Sequence, residues 1–431
     1  MACFHSPGSS IQGFFFGRGG IQERGTAMST GSIVRFAQRM SLLPPYLFGA
    51  INKLRMEKRW EGADVIDLGM GNPTDPAPAE VIEKICEVVR DPKSHRYPVA
   101  NGMRNLRREI AKAYERDYGV TLDPESEVIG TIGSKEGISH LCLALIGPAD
   151  TVLVPTPAFP IHIYATIIAG GNAIGIPLAD EQVFADRIAE MCRSLFPAPK
   201  LLILNYPHNP TGTVTTPEFF EEVVRLAKKH RFMVIHDGAY NKITFDGYKA
   251  PSFLQAAGAR DVGVEFGSFS KSFNMAGWRL GYCVGNREMV QALGRIKGYY
   301  DYGIFSAVQI AGIVALRDCW DGIAEQATIY ERRRDVLYDG LKRLGWPITK
   351  PRGGMFIWAR MPECYRPMGS LKFGAELLEK ANVVVSPGIG FGEEGEGYVR
   401  IALVENEHRL RQAVRQIRKV FPESQRLAAS A

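Results

Sequence analysis

Largely apolar runs of strand length alternate with amphipathic stretches along most of the chain. The runs cover residues 151–154, 201–204, 232–235 and 282–284. Apolar residues recur at helical spacing in two stripes, which are Ile82, Ile85, Cys86 and Val89, then Phe220, Val223, Val224 and Ala227. Thr216 and Pro217 precede the second stripe as a helix N-cap and a first-turn proline. This alternation predicts an α/β fold with a mainly parallel sheet.

After about residue 315 the pattern changes to long charged helical stretches and short strands. The change indicates a second, smaller domain, and 431 residues exceed the length of one ordinary domain. We predict an N-terminal arm with part of the small domain at residues 28–75. A large domain is predicted at 76–314 and a small C-terminal domain at 315–431.

Residues 1–27 differ in composition from the rest of the chain. They are rich in Gly and Ser and lack the continuous apolar core of a secretory signal. Two interpretations remain open for this stretch: a disordered tail, or translation that in fact starts at Met28.

The composition is that of an ordinary globular protein, with 45% hydrophobic and 23% charged residues. The net charge of +6 is spread without a dense run of Lys and Arg, so we expect neither a nucleic-acid partner nor membrane binding. The seven cysteines have no paired or metal-site spacing. We therefore expect a reducing, cytoplasmic location and no metal.

The most informative motif surrounds Lys271. Ser268 and Ser270 stand beside this lysine, and Arg279 follows it eight positions later. A lysine amine can condense with an aldehyde to form a Schiff base, while hydroxyls and a guanidinium can hold a phosphate. An aldehyde and a phosphate in one molecule indicate pyridoxal 5'-phosphate (PLP). A lysine on a solvated loop is the alternative.

Two polar clusters follow predicted strands, where ligands bind in open α/β sheets. Asp237 ends the run 232–235, and its carboxylate can keep the pyridine nitrogen of PLP protonated, while Tyr240 can bond the 3'-oxygen. Asn209, in the loop after the run 201–204, can reach the same oxygen. The alternatives are a helix-capping aspartate and a simple Asn-Pro, Thr-Gly turn.

Two further segments supply anion-binding groups. Gly133, Ser134 and Lys135 open a predicted helix, whose free N–H groups suit a phosphate. Arg400 lies in an alternating strand, opposite Val399 and Ile401, and can pair with a substrate carboxylate. For Arg400 the alternative is a surface position.

Together, these motifs resemble those of the class I/II aminotransferases, which are PLP enzymes of fold type I. The order is Gly-Ser-Lys-Glu-Gly, Asn-Pro-Thr-Gly, Asp-x-x-Tyr, Ser-x-Ser-Lys with the later Arg, and a last Arg, within residues 30–422. The sequences of segments 68–73, 95–97, 386–392 and 399–405 are similar to those of bacterial alanine-synthesising glutamate–pyruvate transaminases. Diaminopimelate transaminases are near relatives in this pattern.

The resemblance implies a large domain with a seven-stranded sheet, a smaller α/β domain and a homodimer with shared active sites. Lys271 would be the Schiff-base lysine and general base. The cofactor would be held by Gly133, Ser134, Lys135, Phe159, Asn209, Asp237, Tyr240, Ser268, Ser270 and Arg279. Tyr97 would reach the phosphate in the other subunit, and Gly71, Asn72, Asn209 and Arg400 would bind substrate.

The activity implied is transfer of an amino group between an L-amino acid, alanine or glutamate, and a 2-oxo acid by ping-pong chemistry. Three alternatives stay open: diaminopimelate or broad-range transamination, a PLP β-lyase, and a PLP-sensing transcription factor. The last class carries an additional DNA-binding domain, for which residues 1–30 leave no room.

Overall fold

The computed structural model describes residues 33–44 and 48–421. The chain divides into two compact units, residues 1–44 and 45–431. Within the first unit, the described segment contains one short 3-10 helix, Gln38–Leu42, without buried residues. The expectations for residues 1–27 lie outside the described residues.

The second unit alternates helices and strands, as predicted. Its helices are α1 (Phe48–Trp60), α2 (Ala79–Val88), α3 (Arg104–Tyr118), α4 (Ser134–Leu145), α5 (Pro160–Ile168), α6 (Glu181–Ser194), α7 (Pro217–His230), α8 (Ala259–Val262), α9 (Phe269–Ser272), α10 (Arg287–Tyr300), α11 (Ser306–Asp318), α12 (Trp320–Arg343), α13 (Ser370–Ala381) and α14 (Glu407–Ile417). Its strands are β1 (Ile66–Asp67), β2 (Val128–Thr131), β3 (Thr151–Thr156), β4 (Asn172–Pro177), β5 (Leu201–Asn205), β6 (Met233–Asp237), β7 (Gly263–Ser268), β8 (Gly281–Gly285), β9 (Phe356–Arg360), β10 (Val383–Val384), β11 (Ser386–Pro387) and β12 (Tyr398–Ala402).

The main sheet has seven strands in the order β2-β8-β7-β6-β5-β3-β4. All neighbours are parallel except β8, which runs antiparallel to β2 and β7. The predicted α/β class and mainly parallel sheet are therefore confirmed. The register pairs Asn205 at the end of β5 with Asp237 at the end of β6, so two polar side chains leave the sheet together.

Two small sheets belong to a separate part of the core. Strands β11, β12 and β9 form an antiparallel sheet, and β1 pairs in parallel with β10. A hydrophobic cluster that includes Trp346, Phe373 and Leu377 covers them. Sequence-distant segments meet here, because Ile66 pairs with Val383.

The predicted helical stripes differ in burial. In α7, Thr216 caps the helix by accepting a hydrogen bond from the Phe219 amide at 3.2 Å, and the whole predicted stripe is buried. In α2 the helix is present, but Ile82 and Val89 are exposed and only Val81 is buried. Periodicity identified the helix without identifying the face that the core covers. None of the described helices is long and apolar enough to cross a membrane.

Candidate active site

A cavity of about 270 Å³ lies at the carboxyl ends of β5, β6 and β7, close to the lower size limit of ligand pockets, ~300 Å³. The predicted site residues that line it are Gly71, Ser134, Lys135, Phe159, Asn209, Asp237, Tyr240, Ser268, Ser270, Lys271, Arg279 and Arg400. Segments separated by more than three hundred residues thus meet in one cavity. Of the predicted residues, Gly133, Asn72 and Tyr97 do not line it.

Lys271 is held in the short helix α9, which begins directly after β7. The Ser268 hydroxyl caps this helix by accepting a hydrogen bond from the Ser270 amide at 3.2 Å. The Lys271 ammonium donates to the Gly71 carbonyl at 2.5 Å. Burial lowers the pKa of Lys271 from 10.5 to about 7, and the guanidinium groups of Arg400 and Arg279 act in the same direction.

Asp237 is buried at the end of β6 with its two carboxylate oxygens in different environments. Oδ2 lies 2.9 Å from Nε2 of His162, which is almost fully buried in α5. Oδ1 is also buried, yet it has no hydrogen-bond partner among the described residues. A buried carboxylate oxygen without a partner is costly, so it marks the place of a donor that a ligand supplies.

The helix α4 begins at the phosphate cradle that the sequence predicts. Gly133 has φ +77°, and a Cβ at this position would lie 2.5 Å from Nη2 of Arg279. A Cβ at Gly281 would lie 2.8 Å from the Ser134 amide nitrogen. Only glycines therefore allow the Arg279 guanidinium and the amino end of α4 to come this close, which concentrates positive charge for an anion.

Arg400 is buried, so the alternative of a surface arginine is wrong. Its guanidinium donates to Asn209 Oδ1 at 2.7 Å and to the Gly69 carbonyl at 3.0 Å. The group also lies 4.0 Å from the ring centroid of Phe356, in a cation–π contact. Asn209 Nδ2 lies 3.4 Å from the Tyr240 hydroxyl. Arg400, Asn209 and Tyr240 therefore form one connected group of polar side chains.

Asn72 is one of the three predicted site residues that do not line the cavity. The chain turns at this point, with the Asn72 amide donating to the Met70 carbonyl at 2.9 Å. Gly69 and Gly71 consequently face the cavity, whereas Asn72 is exposed and does not line it. Gly133 does not line the cavity itself, but it packs against the Arg279 guanidinium, which does. The Tyr97 side chain is 90% exposed, and its ring lies 5.7 Å from that of Tyr302.

Several residues of the site were missed by sequence reasoning. Asn205 donates to the Asp237 carbonyl at 2.7 Å and accepts from the Asn209 amide at 2.8 Å, so it aligns both loops. The residues that line the cavity without having been predicted are Ile51, Asn52, Asp67, Gly69, Met70, Asn205, Ala239, Ala276, Phe356, Val384, Val385 and Ser386. For His162, the one signal was its position at the start of a helix beside Phe159.

The residues present fit PLP on structural grounds. The unpartnered Oδ1 of Asp237 can accept from the pyridinium nitrogen, and the amino end of α4 with Arg279 can hold the phosphate. Phe159 lines the cavity as an aromatic surface for the ring, although it lacks the polar handle of Tyr or Trp. A buried lysine beside this carboxylate and this anion-binding helix end is the set of groups that a PLP-dependent enzyme requires.

Comparison with known proteins gives the family. Residues 63–417 match the family described as Aminotransferase class I and II, and the chain belongs to it. The chain is therefore a PLP-dependent aminotransferase, which confirms the predicted enzyme class, cofactor and fold class. Its substrates are amino acids and 2-oxo acids.

Three similar proteins illustrate the range of this family. Glutamate-pyruvate aminotransferase AlaC of Escherichia coli is 49% identical over 395 residues, which cover 91% of this chain and 95% of that protein. LL-diaminopimelate aminotransferase of Moorella thermoacetica is 44% identical, covering 89% of this chain and 98% of that protein. The substrate-bound structure of BacF from Bacillus subtilis has a TM-score of 0.86 at 35% identity, covering 90% and 98% of the two chains.

Proposed function

We propose that this chain transfers an amino group between alanine or glutamate and a 2-oxo acid, with Lys271 as its catalytic residue. The observation that carries the proposal is the convergence of Lys271, Asp237 and Arg400 on one cavity. The similarity to the Escherichia coli glutamate-pyruvate aminotransferase supports the choice of substrates.

When bound, PLP supplies an aldehyde that reacts with amino groups and a ring that accepts the electrons released at the substrate Cα. The Lys271 amine would attach the cofactor, and as a free amine it would take the substrate Cα proton at Nζ and later donate that proton from the same atom. A pKa of about 7 leaves a large part of this amine neutral near neutral pH. Ser268, Ser270 and Arg279, with the amides at Ser134 and Lys135, hold the phosphate.

The other polar residues orient the reactants. Asp237 accepts from the ring nitrogen through Oδ1, and His162 fixes the carboxylate through Oδ2. Asn209 and Tyr240 donate to the ring 3'-oxygen. Arg400 pairs with the substrate α-carboxylate while contacts to Asn209 and Gly69 fix its guanidinium.

A substrate with a side-chain carboxylate needs a second cation beyond Arg400, and the segment expected to supply it has none. The segment 298–306 contains no Arg or Lys. In members of the family that use dicarboxylates, such a cation can come from a loop of the partner subunit, and segment 298–306 is the expected counterpart of that loop. We therefore expect alanine to be a better amino donor than aspartate, with 2-oxoglutarate as acceptor.

Profiling amino donors against oxo acids tests this substrate range. The purified enzyme should give a kcat/KM for alanine well above that for aspartate, measured with 2-oxoglutarate as acceptor. An aspartate value far above that for alanine would refute the proposal.

LL-diaminopimelate transamination is the second candidate, because relatives of that name reach 44% identity over nearly their full length. The same assay with LL-diaminopimelate as donor separates the two, since only the preferred donor should give the higher kcat/KM. A PLP β-lyase would instead release pyruvate and ammonia from cystathionine.

We further propose a cytoplasmic homodimer in which Tyr97 of one subunit reaches the cofactor phosphate of the other. The exposure of Tyr97 in the single chain supports this role. We also propose a large domain at 76–314 and a small one at 315–431, joined by part of 28–75. A separate hydrophobic cluster built mostly from residues 330–421, with Ile66 and Leu68, supports the small domain.

A further inference from the structure

A buried charge cluster lies behind the phosphate cradle, outside the cavity lining. Lys297 of α10 is fully buried, and its ammonium donates to Glu136 Oε1 at 3.0 Å and to Asp301 Oδ2 at 2.9 Å. His140 Nδ1 lies 2.5 Å from the same Glu136 oxygen and 3.4 Å from Asp301 Oδ2. The cluster thus joins α4, α10 and the residue that follows α10.

Glu136 connects this cluster to residues 132–135, which we call the phosphate-binding loop. Its second oxygen, Oε2, accepts a hydrogen bond from the Ile132 amide at 2.7 Å, immediately before Gly133 and Ser134. Burial raises the pKa of Glu136, but the hydrogen bond from His140 and the Lys297 ammonium outweigh this effect and hold the pKa below its usual value. The carboxylate is therefore ionised, and it fixes the backbone that presents the Ser134 amide to the phosphate.

The tolerance of that loop is small. Gly133 leaves no room for a Cβ beside the Arg279 guanidinium, and Gly281 leaves none beside the Ser134 amide. The loop is therefore closely packed against the Arg279 guanidinium on one side and Gly281 on the other. Hydrogen bonds from a phosphate to backbone amides depend strongly on distance, so the anchor of the loop contributes to phosphate affinity.

The cluster is also anchored on the segment that carries the exposed aromatic residues. Asp301 Oδ1 accepts from the Gly303 amide at 2.7 Å, in a turn where Tyr302 and Gly303 have positive φ. Tyr302 in turn lies beside Tyr97. Through Glu136 and Asp301, Lys297 thus connects the phosphate-binding loop with the turn that places Tyr302 beside Tyr97.

A simple stabilising role does not account for the burial of this lysine. Removing an ammonium from water costs several kcal/mol, and ion pairs between exposed side chains avoid this cost. A buried pair gains a fixed geometry, because each partner has one favourable position. Here the two carboxylates belong to separate segments, and each also accepts a backbone N–H from its own loop.

We propose that Lys297 is a positioning residue for the cofactor phosphate, acting through Glu136 on the loop Ile132–Lys135. This inference rests on the proposed function of the site. It assigns Lys297, Glu136 and Asp301 a role in phosphate recognition although none of them lines the cavity.

The test compares a ligand with and without the phosphate in the apoenzyme. Lys297→Met should raise the Kd of PLP about tenfold, which corresponds to ~1.4 kcal/mol, and should raise the Kd of inorganic phosphate similarly. The Kd of pyridoxal, which has no phosphate, should stay at the wild-type value. Glu136→Gln should reproduce the pattern, and it serves if Lys297→Met does not fold.

Arg334→Met is the matched control. Arg334 is also fully buried and paired with acids, among them Asp246 and Asp335, but it contacts neither the phosphate-binding loop nor segment 298–306. This variant should lose stability and keep the wild-type ratio of the pyridoxal and PLP dissociation constants.

Equal changes for pyridoxal and PLP, no change for either, or the same ratio change in Arg334→Met would overturn the role of Lys297. Failure of the wild-type protein to bind PLP would instead refute the proposed function. The two failures are therefore distinguishable.

Discussion

His162 and Asp237 form a buried pair in which the histidine Nε2 lies 2.9 Å from one carboxylate oxygen, while the other oxygen has no partner among the described residues. The contact holds one side of the carboxylate and leaves the buried Oδ1 without a donor, on a residue that lines the cavity. His162 is also in edge contact with Phe159, with ring centroids 5.8 Å apart. One histidine therefore positions both the acid and the aromatic surface expected to contact the cofactor ring.

Replacing His162 by Phe should lower kcat by about tenfold to a hundredfold and leave the KM for alanine nearly unchanged, because a supporting hydrogen bond to Asp237 is lost. His162→Gln, which can still donate, should restore part of the rate. Steady-state kinetics on PLP-saturated enzyme measures both effects.

His208 provides the control for this prediction. It is a buried histidine close enough to His162 to interact with it electrostatically, but its Nδ1 bonds the Thr211 hydroxyl at 2.8 Å instead of Asp237. His208→Gln should leave kcat within about twofold of wild type, as expected for a loop contact. A similar loss in both variants would show that the His162 effect is general destabilisation.

Attachment of PLP to the apoenzyme should depend on pH with an inflection near 7. Only the neutral amine reacts, and burial together with Arg400 and Arg279 lowers the Lys271 pKa from 10.5 to about 7. The rate should rise as the pH increases through 7 and then level off. Borohydride trapping followed by peptide mapping measures the rate and identifies the attached lysine.

The same experiment on Arg400→Met tests the cause of this shift. Removal of a nearby positive charge should move the inflection to higher pH, because the protonated amine becomes less unfavourable. An unchanged inflection would exclude an electrostatic contribution from Arg400, and a wild-type inflection near 10 would contradict the lowered pKa itself.

The sequence predicted the parts of this site that lie within local motifs. Lys271 with Ser268 and Ser270 is a short continuous segment, and Asp237 ends an apolar run, so composition and order sufficed. Arg400 was placed by alternation along one strand. In each case the signal lies in the residues next to the side chain in sequence, so no knowledge of distant segments was needed.

The residues that were missed depend on pairing between distant segments. Asn205 meets Asp237 because β5 and β6 have one particular register, and register cannot be read from either strand alone. Lys297 reaches Glu136 across 161 positions. The exposed stripe of α2 has the same explanation. Periodicity predicts a helix but does not show which of its faces another segment covers.

Replacing Arg400 by Met should raise the KM for alanine and lower kcat/KM by about a hundredfold, or ~2.7 kcal/mol, since a buried charge-assisted pair with the α-carboxylate is lost. The amount of PLP bound should remain near the wild-type value. Kinetics with alanine and 2-oxoglutarate, and cofactor content by absorbance, measure the two effects.

Arg360→Met serves as the control for Arg400→Met. Arg360 lies on β9, the neighbour of β12, and its half-exposed side chain is directed to Glu363. This change should leave the KM for alanine as in wild type. An unchanged KM in Arg400→Met itself would exclude that residue from the substrate site.

Mixed dimers provide the test of Tyr97. One chain carries Lys271→Ala and the other carries Tyr97→Ala, and each homodimer should have little activity. If Tyr97 serves the opposite subunit, a mixed dimer has both defects in one site and an intact second site. Random mixing should then restore about a quarter of wild-type activity, because half of the dimers are mixed and each has one good site.

If Tyr97 serves its own subunit, every site carries one defect and the mixture stays as inactive as its parents. A mixture of Lys271→Ala with wild-type chains should retain about half of the wild-type activity whether or not subunits exchange, so it shows that the mixing procedure does not itself inactivate the enzyme.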